Sequence, residues 1–470
     1  MKNVYIVGIC GTAMASLAGL LKSKGYSVTG SDSNAYPPMS TMLTDKGIEI
    51  KKGYSRENLE KIIDQLDLAI IGNVARRDNV EAQFIMEKGV PYYSMPSFME
   101  EFILKDYKVL VVAGTHGKST TTSMLATVLE EMGERPSFLI GAVPLNFGQS
   151  FKVCDGRFFV IEGDEYDTAF FDKVPKFLHY RPFSTIITSV EFDHADIYSD
   201  FEVYKTQFVK LSRIVDREGI IVLKDDPIIR QIISREDIRR YFYGESPESN
   251  SYVKGVTYSN EFMVVDASIE GIDLRYRLRV FGYQNALNSL SVITLLSGLG
   301  YELDRIALAF EHFKGVKRRM EFLGEYRGIG IIDDFAHHPT AVKTTIDAIK
   351  KAYIMTGRYK RLLAIFEPRS NTSRRNIFFD EYSKAFGGAD MVVISKPFKK
   401  ADNIKDELDV NGVLQNLKKC GIKGFTGEGV EELKRIIIEN ARPEDLLVFM
   451  SNGDFGGLIN ETKNLLKGDA

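Results

Sequence analysis

VLVVAGTHGKSTTTSMLATVLEEMG, residues 109–133, constrains the fold more than any other stretch. An apolar run of strand length enters a glycine, a lysine and a row of hydroxyls, and a segment of helical periodicity follows. Strand, tight turn and helix in that order call for a parallel sheet. In such a turn successive backbone N–H groups face inward, and the helix begins there with its positive dipole end. The turn GTHGKST, from Gly114, Thr115 and His116 through Gly117 and Lys118 to Ser119 and Thr120, therefore reads as a phosphate loop. Lys118 supplies a mobile charge for the outer phosphates, and Ser119 or Thr120 offers a hydroxyl to magnesium. The loop is shorter than G-x-x-x-x-G-K-[ST], whose first glycine would fall at Val112. By itself it indicates nucleotide phosphate and leaves the reaction open.

The rest of the chain repeats the α/β grammar. VYIVG (4–8), MASLAGLLKSKG (14–25) and YSVTGSD (26–32) form a strand–helix–strand start, with LAIIG (68–72) as a further strand and a helix near 97–104. FFVIEGD (158–164) and STIITSV (184–190) are apolar runs that end in polar residues. Residues 252–280 alternate and carry turns, which predicts an antiparallel insert or edge. Helices return at 285–300 and 303–313. After KGVKRRMEFLGEYRG (314–328), strands are expected at 329–336, 361–368, 390–397 and 444–453, separated by helical segments. At 470 residues the chain exceeds one ordinary core. The pattern predicts three domains, 1–105, 106–319 and 320–470.

A formal net charge of −3 provides no global field for nucleic acid. The basic runs RYKR (358–361) and KPFKK (396–400) read as solvated loops or small-anion contacts. Three widely separated cysteines, Cys10, Cys154 and Cys420, fit neither a disulfide scaffold nor a zinc site. The sequence starts at once with a strand, and no apolar run reaches the roughly eighteen residues of a membrane span. A reducing cytoplasm is the expected location, without stable membrane insertion.

Several acids and histidines can complete a phosphate site. Glu162 ends an apolar run, so a parallel sheet presents it beside the loop, and a hard magnesium ion takes oxygen ligands. His194 in VEFDHAD (190–196) is placed to ligate a second metal or to meet the terminal phosphate. Arg318 or Arg319 in KRRME can reach phosphates, and Asp334 in DDFAHHPT can accept from a ribose hydroxyl. In VGICGTAM (7–14) only Gly8 and Gly11 match a dinucleotide loop. Asp32, after the next strand, suits a ribose-like hydroxyl.

Taken together, GICGTAM, GTHGKST, EGDEYD, EFDHAD, GYQNALN, KRRMEFLGE and DDFAHHPT resemble the Mur ligases, the ATP-dependent ligases of bacterial cell-wall synthesis. The motifs occur in the family order and span nearly the whole chain. The resemblance implies a three-domain α/β architecture. An N-terminal Rossmann-like domain holds a UDP-sugar, a central P-loop ATPase-like domain holds ATP and Mg2+, and a C-terminal Rossmann-like domain receives the incoming amine. It places the Gly8–Gly11 loop and Asp32 near the UDP part, assisted by Asn73 and Arg76. It makes Lys118 the phosphate-loop lysine, Ser119 and Glu162 magnesium ligands, and His194 the histidine of a second magnesium site. Asn285 falls at the nucleotide-contacting asparagine, Arg319 near phosphate and Asp334 near the ATP ribose.

GSDSNAYPPMST, EFDHADIY, EPRSNT and SNGDFGG resemble the family branch that joins the murein tripeptide L-alanyl-γ-D-glutamyl-meso-diaminopimelate to UDP-N-acetylmuramate. Arg369, Asn371, Ser451 and Asn452 are then expected to meet the peptide. The sister branch that adds L-alanine is the nearest alternative. A nucleotide-controlled interaction protein and an oxidoreductase fit fewer of the motifs. Two positions depart from the family pattern, Thr188–Ser189 for Thr-Asn and Gln284–Asn285 for His-Asn. Neither removes Lys118, Glu162 or His194.

Overall fold

The computed structural model describes residues 2–35, 39–191, 198, 200–232, 237–259, 261–369, 373–396 and 407–468. The chain divides into two compact units. One comprises Met1–Gly255, Asp266–Tyr276 and Leu287–Lys314, and the other Val256–Val265, Arg277–Ala286 and Gly315–Ala470.

In the first unit, Asn3–Val7 lies at the centre of a five-stranded parallel sheet. Ser27–Asp32 and Glu49–Lys52 flank it on one side, and Leu68–Ile71 and Tyr92–Tyr93 on the other. The central strands Asn3–Val7 and Leu68–Ile71 are short apolar runs followed by glycine, as buried parallel strands require, while the edge strands Glu49–Lys52 and Tyr92–Tyr93 are more exposed. A second sheet of ten strands is built around Lys108–Ala113. Phe158–Gly163 pairs with it on one side and Ser184–Ile187 on the other, both parallel, with Ala113 opposite Gly163 and opposite Ile187. The carboxyl ends of three strands therefore stop at one level, where the helix Lys118–Glu131 begins. Side chains from both sheets join one apolar cluster that includes Leu17, Leu21, Phe98, Val109, Phe159 and Phe208.

The expected antiparallel insert differs at its entry. Ser251–Tyr258 pairs parallel with Arg239–Gly244, through Tyr243–Ser251 and Gly244–Tyr252 alone. Only afterwards do Met263–Ile269 and Ile272–Leu278 form a hairpin, turned at Glu270 and Gly271 with φ of 50° and 85°. Residue alternation reports which faces are wet and carries no strand direction.

The second unit holds a six-stranded sheet in the order Glu321–Tyr326, Ile329–Asp334, Asp445–Met450, Arg361–Phe366, Met391–Ser395 and Lys423–Gly427. All pairs are parallel except the first, which is antiparallel. The last strand in sequence is inserted between the second and third, so the direction of winding reverses there. In open α/β sheets such a reversal opens a crevice beyond the strand ends.

Candidate active site

The loop 114–120 takes its shape from two glycines. Gly117 has φ 80° and ψ −7°, a left-handed conformation that a side chain disfavours. A β-carbon on Gly114 would lie 2.3 Å from Thr188 Oγ1. The N–H groups of residues 117–120 precede the first helical bond, from Thr121 N–H to the Gly117 carbonyl at 3.0 Å. They are the free donors of a helix start, suited to an anion. The neighbouring strand end anchors the loop. Thr115 N–H donates to the Ser189 carbonyl at 3.0 Å, His116 N–H to Ser189 Oγ at 2.9 Å, and Thr188 Oγ1 to the His116 carbonyl at 2.5 Å. Ser189, at the first departure from the family pattern, thus supports the loop through its hydroxyl.

Five charges converge beside it. Lys118 Nζ donates to the Gly114 carbonyl at 2.7 Å and to Glu165 Oε2 at 2.9 Å. Burial opposes the lysine charge, but Glu165, Asp164 and Glu162 outweigh it and hold the ammonium above its ordinary range. Ser119 Oγ donates to Glu162 Oε1 at 2.9 Å, and Gly141 N–H donates to Oε2 at 2.9 Å. Burial, then Asp164, push the Glu162 carboxyl up. Lys176 holds Asp164 at 2.8 Å and lies 4.3 Å from the Tyr166 ring centre. Burial alone would raise the Asp164 carboxyl, yet Lys176 and Lys118 keep it low. A hydroxyl and a carboxylate already within hydrogen-bond distance, beside donors for phosphate, suit magnesium, which keeps several waters and takes few protein ligands.

The N-terminal loop is ordered by Asp32, whose Oδ2 accepts from Cys10 N–H and whose Oδ1 accepts from Asn34 N–H, each at 2.9 Å. Gly8 N–H donates to the Ser31 carbonyl at 2.8 Å, and Gly11 caps the helix Thr12–Ser23. Asn73 and Arg76 are exposed in the loop after Leu68–Ile71.

In the second unit, Asp334 is buried. Its carboxylate accepts from Met320 N–H at 2.7 Å, Ala336 N–H at 2.9 Å and Thr345 Oγ1 at 3.0 Å. The two arginines of KRRME share one aromatic neighbour, with their guanidinium groups 5.4 Å and 4.7 Å from the Phe335 ring centre. Arg318 also donates to the carbonyls of Ser451, at 2.7 Å, and Gly453 and pairs with Asp333. Arg369 donates to Asp454 Oδ1 at 2.8 Å, and Ser451 Oγ donates to Glu367 Oε2 at 2.6 Å. Asn285 donates to the Phe281 carbonyl at 2.7 Å. His194 and Asn371 lie outside the described residues.

Comparison with known proteins gives the family. The Mur ligase family, catalytic domain, matches residues 3–107, the Mur ligase middle domain residues 112–296, and the Mur ligase, glutamate ligase domain, residues 318–453. The chain belongs to the Mur ligase family. Its members are ATP-dependent ligases that form amide bonds. The UDP-N-acetylmuramate–L-alanyl-γ-D-glutamyl-meso-2,6-diaminoheptandioate ligase of Escherichia coli K12 is 38% identical to it, over 97% of this chain and 96% of that one. The UDP-N-acetylmuramate–L-alanine ligase of Alkaliphilus metalliredigens is 29% identical over 97% and 95%. A crystal structure of a murein peptide ligase from Psychrobacter arcticus superposes with a TM-score of 0.72 at 32% identity, covering 99% of both chains.

Three residues of this Mur ligase escaped the sequence reading. Asn288 borders the phosphate loop, its Oδ1 2.9 Å from where a Gly117 β-carbon would sit. It lies three residues after Asn285 in the helix Tyr283–Gly298, so helical spacing alone nominates it. Glu165 and Lys176 are the other two. Glu165 stands in the quoted acidic run, but which acid faces the lysine depends on how the chain turns after Gly163. Lys176 carries no motif, and only the fold brings it to Asp164.

Proposed function

We propose that this Mur ligase joins L-alanyl-γ-D-glutamyl-meso-2,6-diaminopimelate to UDP-N-acetylmuramate, with ATP cleaved to ADP and phosphate, in the recycling of peptidoglycan. The observation that carries the reading is the largely buried cluster of Lys118, Ser119, Glu162 and Glu165 at a phosphate loop, in a chain 38% identical to a ligase of that name over nearly its full length.

A free carboxylate is a poor acyl donor because oxide would have to leave. The lactyl carboxylate of the UDP-sugar attacks the γ-phosphorus of ATP, ADP departs, and an acyl phosphate forms. The free amine of the tripeptide attacks its carbonyl carbon, and the tetrahedral adduct collapses to an amide and phosphate as the amine sheds its proton. Lys118 and the N–H groups of 117–120 hold the phosphates, with Thr115, His116 and Thr120 completing the loop. Ser119 and Glu162 hold magnesium, which neutralises phosphate charge when bound. The family pattern carries His194 to a second magnesium, Asn285 and Asp334 to the nucleotide and Arg319 to phosphate.

Residues 1–105 take the UDP-sugar through Gly8, Gly11, Asp32, Asn73 and Arg76. Residues 106–319 take ATP, and residues 320–470 take the peptide through Arg369, Asn371, Ser451 and Asn452. Among the described residues no helix is long and apolar enough to cross a membrane, and the cytoplasm, where UDP-sugars and ATP are both present, is the proposed location.

The test is ADP release with UDP-N-acetylmuramate, magnesium and either tripeptide or L-alanine, with product mass measured. Tripeptide-dependent release and a product carrying the whole peptide are expected. Release with L-alanine alone selects the sister reaction, and amine-independent hydrolysis rejects both.

A further inference from the structure

The second unit contains a buried carboxylate that none of these roles employs. Glu367 follows the strand Arg361–Phe366, where Phe366 is opposite Met450 in the strand Asp445–Met450. It is 2% exposed. Its Oε2 accepts from Ser451 Oγ at 2.6 Å and from Phe455 N–H at 3.3 Å, while Oε1 receives no donor among the described residues. Burial, more than any neighbour, holds this carboxyl above its ordinary range. A second acceptor is orphaned in the turn that holds this carboxylate, at the residue after Ser451. Asn452 Oδ1 is buried and has no hydrogen-bond partner. The Ser451 hydroxyl ties the two together, because it accepts from Gly453 N–H at 2.8 Å while donating to Glu367. The turn that carries Asn452 is thereby folded around the carboxylate.

Unfilled buried acceptors are costly, and native structures retain few of them. Arg369 already acts on the carboxylate from one side, and a group that donates without accepting and carries positive charge suits the remaining Glu367 oxygen and Asn452 Oδ1 best. An ammonium has three donors and no acceptor. Carboxylate and phosphate groups would be repelled. The position, beyond the carboxyl end of the strand where the winding reverses, is where open α/β sheets bind ligands.

We propose that Glu367, with Asn452 Oδ1, receives a primary ammonium group of the incoming peptide and so sets specificity for the amine substrate. The assignment rests on the ligase reading above. The tripeptide offers two groups of this chemistry, the attacking amine and the amino group at the far end of diaminopimelate.

The experiment uses the full chain carrying Glu367→Gln, which keeps the volume and an acceptor for Ser451 but removes the charge and presents an NH2 donor. The peptide KM is expected to rise at least about tenfold, while the KM values for UDP-N-acetylmuramate and ATP stay within about twofold. A tripeptide lacking the far amino group separates the two sources. If that amino group is the ligand, the analogue binds the unaltered protein more weakly and Glu367→Gln adds nothing further. If the attacking amine is the ligand, the variant is impaired equally on both peptides. Asn452→Ala, which leaves the Ser451 bond in place, must raise the same KM and decides the matter if Glu367→Gln does not fold. Unchanged peptide KM in a folded variant overturns the proposal. An unaltered protein that consumes L-alanine and ignores the tripeptide overturns the peptide reading instead, and the same variants titrated with L-alanine then decide the ammonium assignment on its own.

Discussion

Lys118 Nζ lies 2.9 Å from Glu165 Oε2, and their side chains are 12% and 0% exposed. Glu165 is itself fixed, since Tyr198 donates to its carbonyl and Tyr204 to Oε1 at 3.4 Å. The Tyr204 hydroxyl also lies 2.8 Å from Thr115 Oγ1 in the loop. The lysine of the phosphate loop thus has a built-in counter-charge, which nucleotide phosphates replace on the proposed reading. Removing one member of a buried pair leaves the other charge uncompensated and costs about 3–5 kcal/mol, less here because Glu162 and Asp164 remain nearby. Glu165→Gln should therefore melt at a lower temperature than the unaltered protein and gain more from added ATP. Equal ATP-induced shifts in the two proteins would remove the counter-charge role.

Lys118→Ala removes the point charge itself. Product formation is expected to fall by about 10²–10³-fold, the scale seen when a preorganised electrostatic donor is lost. Circular dichroism is measured alongside, because Glu165 loses its counter-charge and the variant should melt at a lower temperature while remaining folded at the assay temperature. Near-normal ligation by a folded variant rejects the assignment.

Glu162→Gln keeps the Ser119 and Gly141 contacts within reach but removes the carboxylate charge. The magnesium concentration for half-maximal rate should rise about tenfold or more, with partial recovery at high metal. A direct readout is the magnesium dependence of nucleotide binding by calorimetry. A titration identical to the unaltered protein sinks this role.

Much of the architecture was legible because short apolar runs closed by glycine or a polar residue mark parallel strands, and the structure has strands at Asn3–Val7, Lys108–Ala113, Phe158–Gly163 and Asp445–Met450 where such runs occur. Glu321–Tyr326 was not legible. EFLGEY interrupts its alternation with Gly324 at φ 126°, where the register with Ile329–Asp334 also shifts. Within the site, the loop and its acids could be read because they are contiguous. Arg318 and Arg319 could not be separated, since both lie over Phe335 and what marks Arg318 is the φ of 58° with which it reaches the carbonyls of 451 and 453, a contact made over 130 residues away in sequence. Glu367 was hidden for the same reason: its burial comes from the turn 451–455, over eighty residues away in sequence.

His179 predicts a pH window for stability within the first unit. Its Nδ1 pairs with Glu100 at 2.9 Å and its Nε2 with Asp172 at 3.1 Å. Burial opposes the imidazolium, but the two carboxylates raise its pKa above the ordinary value. Burial likewise opposes the Asp172 charge, yet His179 and Ser94 bring that carboxyl down to about 2. The histidine contribution is full below its unfolded pKa of about 6.5 and is lost as pH rises through the raised folded value. The aspartate contribution is full above about 4 and is lost as pH falls toward 2. Asp172→Asn should therefore cost most between about pH 4 and 6.5, by about 2 kcal/mol. Denaturant titrations at pH 3, 5.5 and 9 check this, and a penalty independent of pH would assign the loss to packing.

Arg369 tests acceptor choice from the surface side of the same crevice. It follows the strand Arg361–Phe366 and pairs with Asp454 at 2.8 Å, in a turn that Arg318 and Ser451 already hold in place. Both side chains of the pair are substantially exposed, so the pair contributes little to stability. On the proposed reading the Arg369 guanidinium exchanges Asp454 for a peptide carboxylate, held by two parallel N–H donors, a geometry that lysine does not reproduce. Arg369→Lys is expected to raise the tripeptide KM roughly tenfold and leave UDP-N-acetylmuramate affinity unchanged. A tripeptide amidated at its terminal carboxylate supplies the control. If Arg369 holds that carboxylate, the unaltered protein should lose the same factor with the amide, and the variant should lose no more. A variant that discriminates between acid and amide as sharply as the unaltered protein moves the carboxylate contact to another residue, while leaving the ligase reaction and the Glu367 assignment intact.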